Sequence, residues 1–337
     1  MKILISSYVF SPGVGGIEVV SNLLSLEFVT AGHQVILITE NGTEDGISRP
    51  YQVVRKPGPR RLIQLIRWCD VYFQNNISLT LAWPLLLVRR PWVIAHHTWI
   101  GGTGAGWDWK GKLKRRLLPY ATNATISHAM ARDLPVPSIV LGNPFANDIF
   151  RSQPLNRDRD LVYVGRLVSD KGVNLLIQAL GKLQNLDLRP RLTIIGSGPE
   201  EDSLRQLALK LGVLDQIDFI GSKSAEHIAL LLSAHRVLVI PSLFPEPFGL
   251  VALEGIASGC VTVAADSGGL SEAIGQCGLL FPKGDIAALT QALHLALSDA
   301  ELSKRLLKNA SAHLKPFAPE IIAAKYLAIF QRSIACR

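Results

Sequence analysis

The sequence predicts an α/β protein made of two doubly wound, Rossmann-like domains. Three observations lead there. Short apolar runs of strand type alternate with segments of helical periodicity along the chain, as expected for parallel sheets with crossover helices. Each half opens in the same way, on a strand, a glycine-rich loop and a helix: Lys2 to Ser6 before Ser11 to Gly16, and Leu161 to Val164 before Gly165 to Gly172. Finally, 337 residues are more than one hydrophobic core usually organises, so two domains of about 150 residues each are expected.

In the first half, Lys2 to Ser6 reads as a strand, 11–16 as a loop and Ile17 to Thr30 as a helix ending near Gly32, with a second strand from Gln34 to Thr39. Further strands are expected at Gln52 to Arg55, Val71 to Gln74, Trp92 to His96, Ala124 to Ile126 and Ile139 to Leu141. The glycine loop lies at the first strand-to-helix turn, where small residues let a ligand approach the backbone, although its spacing is not that of the dinucleotide fingerprint. His96 and His97 follow the strand PWVIA at its carboxyl end, where a histidine can be a ligand contact or a satisfied structural imidazole.

A polar stretch, Arg151 to Asp160, reads as the linker and puts the domain boundary between residues 152 and 153. Its Asp158-Arg159-Asp160 triplet precedes a strand rather than following one, which argues against a metal-binding Asp-x-Asp. Leu161 to Val164 then opens the second domain, followed by Gly165-Arg166 and, five residues on, Lys171-Gly172 before the helical run VNLLIQAL. Ser169 or Asp170 can cap that helix, and two cations around a helix start outline a diphosphate site. Arg191 to Ile195 leads into the Gly196-Ser197-Gly198 turn, a weak motif placed to line a nucleotide. Ile217 to Ile220, Val237 to Ile240, Val261 to Ala265 and Leu279 to Phe281 complete the sheet, and Pro319 to Ile334 is a final amphipathic helix.

Composition narrows the function classes. With 48% hydrophobic and 18% charged residues the chain is globular rather than disordered. Cys69, Cys260, Cys277 and Cys336 have no metal-ligand spacing, so a reducing cytoplasm fits. MKILISSYVF suits a first strand better than a signal peptide, and Leu79 to Val88, interrupted by Pro84, is about half the length of a spanning helix. The net charge of +8 is concentrated in the first half, where residues 1 to 150 carry 15 Lys and Arg against 9 Asp and Glu. Between Arg55 and Arg116 there are 12 basic residues with only Asp70 and Asp108 as acids, and all six tryptophans fall in the same window. Within it, 106–120 read as a helix set Trp109, Leu113 and Leu117 on one side and most cations on the others. This makes Trp107, Trp109, Lys112, Lys114, Arg115 and Arg116 candidates for an acceptor or anionic-membrane contact, the plain alternative being a helix packed on its own domain. Nucleic acid is not expected as a partner, because no nucleic-acid module accompanies the charge.

The most informative stretch is Val237 to Glu254, VLVIPSLFPEPFGLVALE, a strand, a Pro- and Gly-punctuated loop and a helix start with two carboxylates. If Leu250 opens the helix, Glu254 lies on the apolar stripe with Leu253 and Ala257, so it needs a partner that the local sequence does not supply: a distant Arg or Lys, or a ligand. Glu246, between Pro245 and Pro247, reads by itself as an ordinary loop charge.

The run PSLFPEPFGLVALEGIASG resembles the signature of retaining glycosyltransferase family 4, a Glu, seven residues and a second Glu around a Pro-Phe-Gly turn. It departs where a Pro commonly precedes the next strand and this chain has Cys260-Val261-Thr262-Val263. GRLVSDKG resembles the family's phosphate-binding turn, Asp266 to Gly269 with Glu272 its Gly-Gly turn beside the phosphates, and the final helix the one that crosses back to the first domain; the likeness covers about 160–285 closely and the first half loosely. The resemblance implies the GT-B arrangement, two Rossmann-like domains facing across a cleft: an acceptor-binding domain 1–152, with 317–337 packing back on it, and a nucleotide-sugar-binding domain 153–316.

The resemblance also implies a hexose-type sugar carried on a nucleoside diphosphate, a glycan or lipid-linked acceptor in cell-envelope polysaccharide or glycolipid synthesis, retention of configuration, and neither cofactor nor metal. Arg166 and Lys171 then stabilise the leaving diphosphate, and Glu246 and His97, or His96 in its place, hold the sugar. Glu254 accepts from the ribose hydroxyls, and Gly15, Gly16, Gly165, Gly196, Gly198, Phe248, Gly249 and Leu250 line the donor. The implied location is the inner face of the cell membrane. Two alternatives stay open: a non-hydrolysing nucleotide-sugar epimerase, which turns over donor without acceptor, and a non-catalytic nucleotide-sugar-binding partner in a membrane glycosylation complex.

Overall fold

The computed structural model describes residues 1–13, 15–101 and 108–335. The chain forms two compact units, Met1–Phe145 together with Pro316–Arg337, and Ala146–Lys315.

The first unit is built on seven strands: β1 (Lys2–Ser6), β2 (Gln34–Thr39), β3 (Gln52–Arg55), β4 (Val71–Asn75), β5 (Trp92–His96), β6 (Thr122–Thr125) and β7 (Ile139–Val140). They pair in the order β3-β2-β1-β4-β5-β6-β7, every pair parallel. The central strands β4 and β5 are buried along their whole length, which is why they read as continuous apolar runs rather than alternating ones. From β1 the chain builds outward to β2 and β3 on one side and from β4 onward on the other, so the topological switch point lies between β1 and β4. The final helix, Pro319–Ala335, belongs to this unit: Tyr326 and Phe330 pack on Phe73, and Phe330 also meets Phe28 of the helix Gly16–Thr30, with ring centroids 4.9–5.4 Å apart.

The second unit has six strands: β8 (Arg159–Val164), β9 (Leu192–Ile195), β10 (Ile217–Phe219), β11 (His235–Ile240), β12 (Val261–Asp266) and β13 (Gly278–Pro282). Their order is β10-β9-β8-β11-β12-β13, again parallel throughout, with the switch point between β8 and β11. One core of Leu, Ile, Val and Ala side chains fills the space between the sheet and the helices Val173–Leu183 and Ile286–Ser298.

Every expected strand forms, several with an end moved by one or two residues, and at two of these ends a polar side chain is buried with partners. His235 joins β11 because its ring is enclosed between Thr193 Oγ1 at 2.8 Å and the Leu231 carbonyl at 2.6 Å. Asn123 joins β6 because its amide donates to the carbonyls of Leu118 and Ala121. Three expectations need correction. The second unit begins at Ala146, ahead of the expected boundary at 153, and the return to the first unit falls at Pro316 rather than 317. The polar 151–160 stretch is not a free linker, since the Arg157 guanidinium donates to the carbonyls of His235 and Ser258 and ties it to the second unit. Nor do Ser169 or Asp170 cap the helix Val173–Leu183: they form a single 3-10 turn, and the cap is Gly172 in the left-handed conformation.

Candidate functional site

In the second unit the loops at the carboxyl ends of β8, β9, β11 and β12 are stitched into one surface by backbone hydrogen bonds. The loop after β8 is held to that after β9 by Gly165 N–H to Ile195 O and Leu167 N–H to Ser197 O, both 3.0 Å. On its other side, the N–H groups of Leu243 and Phe244, after β11, both reach the Asp170 carbonyl, and Gly269 N–H, after β12, donates to Glu246 O at 2.7 Å. Two glycines permit these approaches. A Cβ on Gly172, φ 67°, would stand 2.1 Å from Pro241 O, and one on Gly268, φ 65°, would stand 2.1 Å from Glu246 O.

The charged residues gather on this surface, at the switch point between β8 and β11. Lys171 Nζ lies 2.5 Å from Glu246 Oε1, and the same oxygen accepts from Ser242 Oγ at 2.7 Å. Arg166 is exposed, and its guanidinium has no hydrogen bond or ion pair among the described residues. Its backbone carbonyl accepts from the Tyr163 hydroxyl at 2.9 Å, which fixes the turn that carries it. Burial pushes the Tyr163 hydroxyl pKa well up, and the Glu246 and Asp170 carboxylates push in the same direction. Asp170 Oδ1 is buried with no partner among the described residues.

Glu254 sits one turn into the helix Leu250–Ala257, which starts at Gly249 with no side-chain cap and so presents its first N–H groups unsatisfied by the helix itself. Glu254 is half-buried; among the described residues no Arg, Lys or other donor reaches its carboxylate, and the protein around it pushes its pKa up from 4.5 to about 7. The distant core partner that the sequence leaves open as one reading of Glu254 is therefore not present among them. Phe248 is buried and anchors the turn before it. Gly196 and Gly198 have a packing role beside the lining role expected for them: a Cβ on either would collide with the carbonyls of Gly165 or Leu167.

In the first unit, the carboxyl ends of β4 and β5 hold the histidines beside the other switch point. His97 Nε2 is 2.6 Å from Asn75 Oδ1, and Asn75 Nδ2 donates to Ser21 Oγ at 2.6 Å, which links it to the helix that follows Gly15 and Gly16. Burial, then the neighbouring His96, hold the His97 pKa down at about 3, so the ring is neutral. His96 is the last residue of β5, fully buried, with Nε2 2.9 Å from Asn123 Oδ1 and Nδ1 without a partner among the described residues. Of the two, His97 is the one placed past the strand end, next to Asn75.

The model of the family described as glycosyl transferases group 1 matches residues 145–313, half of the chain and nearly the whole second unit. The chain belongs to the group 1 glycosyl transferases. Among curated relatives of this group 1 glycosyl transferase, glycogen synthase of Mycobacterium tuberculosis is 39% identical over 166 residues, 48% of this chain and 39% of that protein. D-inositol 3-phosphate glycosyltransferase of Corynebacterium glutamicum is 34% identical over 183 residues, 52% of this chain and 44% of that protein. The matches thus span less than half the length of these relatives. Solved structures share the GT-B fold over the full length: sucrose-phosphate synthase of Thermosynechococcus elongatus, TM-score 0.84 at 22% identity and full coverage of both chains. Anabaena HepE, solved with UDP and glucose, gives TM-score 0.80 at 19% identity over 98% of this chain and 99% of that one.

In this group 1 glycosyl transferase the basic, tryptophan-rich segment behaves only partly as expected. Trp107 lies outside the described residues. Trp109–Leu117 is a helix capped by Asp108, whose Oδ1 accepts from Gly111 N–H at 2.8 Å, and no described helix is long and apolar enough to cross a membrane. Trp109 is exposed beneath the Lys110 ammonium, and Lys112 and Arg116 are exposed too. The Arg115 guanidinium, a third exposed, binds Asp133 Oδ2 at 2.7 Å and the Ile100 carbonyl at 3.0 Å, and so fastens the helix to its own unit. Lys114 is half-buried, and burial lowers its pKa. Sequence reading missed Ser242, Asp170, Tyr163 and Asn75. Ser242 and Asp170 sit inside the motifs already singled out, whereas Asn75 is marked only as the polar end of an apolar strand.

Proposed function

We propose that this chain is a metal-independent, retaining hexosyltransferase that moves a hexose-type sugar from a nucleoside diphosphate sugar to a glycan or lipid-linked acceptor, in cell-envelope polysaccharide or glycolipid synthesis. The observation that carries the reading is Glu254: a half-buried carboxylate with no protein partner among the described residues, in the turn that also bears Glu246, the partner of Lys171. Ribose hydroxyls are suitable donors for it, and they would stabilise the ionised form that burial disfavours. The nucleotide-sugar class is supported by the solved neighbour that holds UDP and glucose.

Glycosyl transfer breaks the bond between the anomeric carbon and the diphosphate, so negative charge grows on the leaving group. Arg166, unengaged among the described residues, and Lys171 would stabilise that charge directly, with no metal required. A diphosphate competes for Lys171 and releases the Glu246 carboxylate to the sugar hydroxyls. The N–H groups at Phe248, Gly249 and Leu250 and the backbone at Gly165 line the same donor. In the first unit, neutral His97, held by Asn75, is a further group suited to a sugar hydroxyl, with Gly15 and Gly16 proposed as donor contacts. The acceptor oxygen approaches from the face that the diphosphate leaves, which retains configuration. The exposure of Trp109, Lys112 and Arg116 supports a seat on an anionic membrane surface, proposed at the cytoplasmic face.

A panel of nucleoside diphosphate sugars scored by thermal shift and then by acceptor-free hydrolysis tests the reading. One sugar nucleotide is expected to raise the melting temperature and to be turned over, and Glu254→Ala and Lys171→Ala to abolish turnover while both variants still unfold cooperatively. Full activity in both variants would refute the site.

A further inference from the structure

The first unit carries an apolar groove of about 750 Å³ that no step of the proposed reaction uses. Its walls come from two proline-containing 3-10 turns, Trp83–Leu86 ahead of β5 and Leu118–Tyr120 ahead of β6, with Leu113 and Leu117 of the helix Trp109–Leu117 between them. Trp92, the first residue of β5, lines it, whereas His97 follows the last residue of the same strand. Groove and histidine are therefore separated along the strand by about 16 Å at 3.3 Å per residue. A sugar held at His97 cannot also be the occupant of the groove.

Three features describe what fits. Two of its apolar side chains are displayed rather than packed, Leu86 being 81% and Tyr120 78% exposed, and neighbouring Leu87, outside the lining, is 68% exposed. Trp92 is 8% exposed, and its buried Nε1–H has no acceptor among the described residues, a deficit of about 1–3 kcal/mol for a donor shut away from water. Cations edge the groove. Arg89 and Arg90 line it, and Arg90 is fixed there by donating to the carbonyls of Ile66 and Arg67, on a helix that carries Arg60, Arg61 and Arg67. The two acids of this basic window are already engaged, Asp70 by the Lys2 N–H and Asp108 as the helix cap. A hydrocarbon slot with a cationic edge, flanked by Trp and Tyr, matches an acyl chain and an anionic phosphate.

We propose that this groove seats one acyl chain of an anionic phospholipid and anchors the protein, apart from the acceptor site, to the bilayer. The proposal extends the membrane placement given above, which rests on Lys112 and Arg116, and the two are separable. Neutralising Lys112 and Arg116 tests the electrostatic face, whereas changes in the groove test the chain-binding seat.

The probe is lysophosphatidylglycerol below its micelle concentration, titrated into protein carrying 15N-labelled indoles. The Trp92 indole N–H resonance, at the groove wall, is expected to shift saturably, and Leu113→Asp to abolish the shift. In co-sedimentation, vesicles containing phosphatidylglycerol are expected to bind the protein and pure phosphatidylcholine vesicles are not. Leu86→Asp with Leu87→Asp, at exposed positions that the fold does not need, is expected to cut binding at least tenfold. Nucleotide thermal shift on the same variants reports folding and the sugar-nucleotide site independently. An unmoved Trp92 resonance overturns the proposal, as does equal binding to neutral vesicles. Concentration-dependent dimerisation that Leu86→Asp abolishes, with no lipid response, would assign the groove to a second copy of the chain and also overturn it.

Discussion

Replacing Glu254 by Gln gives a result whose size and pH dependence both follow from the structure. Burial moves its carboxyl from 4.5 to about 7, so at about 1.4 kcal/mol per pKa unit, ionising it in the folded chain costs about 3 kcal/mol. Between those two values the native chain keeps a proton that the unfolded chain has lost, so stability falls as pH rises through that window. The penalty is absent below 4.5 and complete above about 7. Glu254→Gln, which keeps the shape and carries no charge, is therefore expected to raise unfolding free energy by up to about 3 kcal/mol at about pH 8, with no gain at about pH 4. Urea denaturation of both proteins at the two pH values measures it. The opposite signature is expected on binding. Ribose hydroxyls favour the ionised carboxylate, so nucleoside diphosphate affinity should rise between about pH 6 and 8, and binding at about pH 6.5 should release most of one proton. Titration calorimetry in two buffers of different ionisation enthalpy counts that proton, and Glu254→Gln should lose both the proton and about tenfold or more in affinity. A pH-independent stability difference together with no proton release would refute the reasoning.

Other outcomes follow from neighbouring contacts. Glu246→Gln frees Lys171 from a partly buried ion pair, so affinity for a bare nucleoside diphosphate should rise by about fivefold, worth about 1 kcal/mol, while sugar transfer is lost; calorimetry and a transfer assay separate the two. His97, whose folded pKa is held down at about 3, contributes stability that is complete above 6.5 and lost as pH falls from there. His97→Gln should therefore narrow the stability loss between about pH 7 and 4, measured by denaturant unfolding. Gly172→Ala places a methyl 2.1 Å from Pro241 O at a φ of 67°, and about 1–3 kcal/mol of destabilisation is expected in the same assay, with nucleotide affinity falling as the Arg166–Lys171 loop shifts. Phe330→Ala removes the ring that meets both Phe28 and Phe73, and should cost about 3–5 kcal/mol without changing nucleotide affinity in protein that remains folded.

Much of the fold is legible because the central parallel strands, buried on both faces, leave apolar runs that a single pass can find, and each of the thirteen strands among the described residues is expected from the sequence. Three of the misplacements share one cause: His235, Asn123 and Arg157 are polar residues that the sequence assigns to strand margins or a linker, and each makes a hydrogen bond to a residue distant in the chain. Gly172 took the capping role from Ser169 and Asp170 for a similar reason, since a strand 70 residues away fixes the backbone there.

The sequence by itself determined the two parallel α/β units, the Glu246 and Glu254 turn, the Arg166 and Lys171 loop and the concentration of charge and tryptophan before residue 117, because periodicity, spacing and composition are local properties. Only the tertiary structure decided the rest. It set Lys171 against Glu246, left Glu254 without a protein partner among the described residues, paired Arg115 with Asp133, and opened an apolar groove beside Trp92. Whether a charge is paired, buried or free depends on which distant backbone and side-chain groups the fold brings to it, and no local pattern carries that.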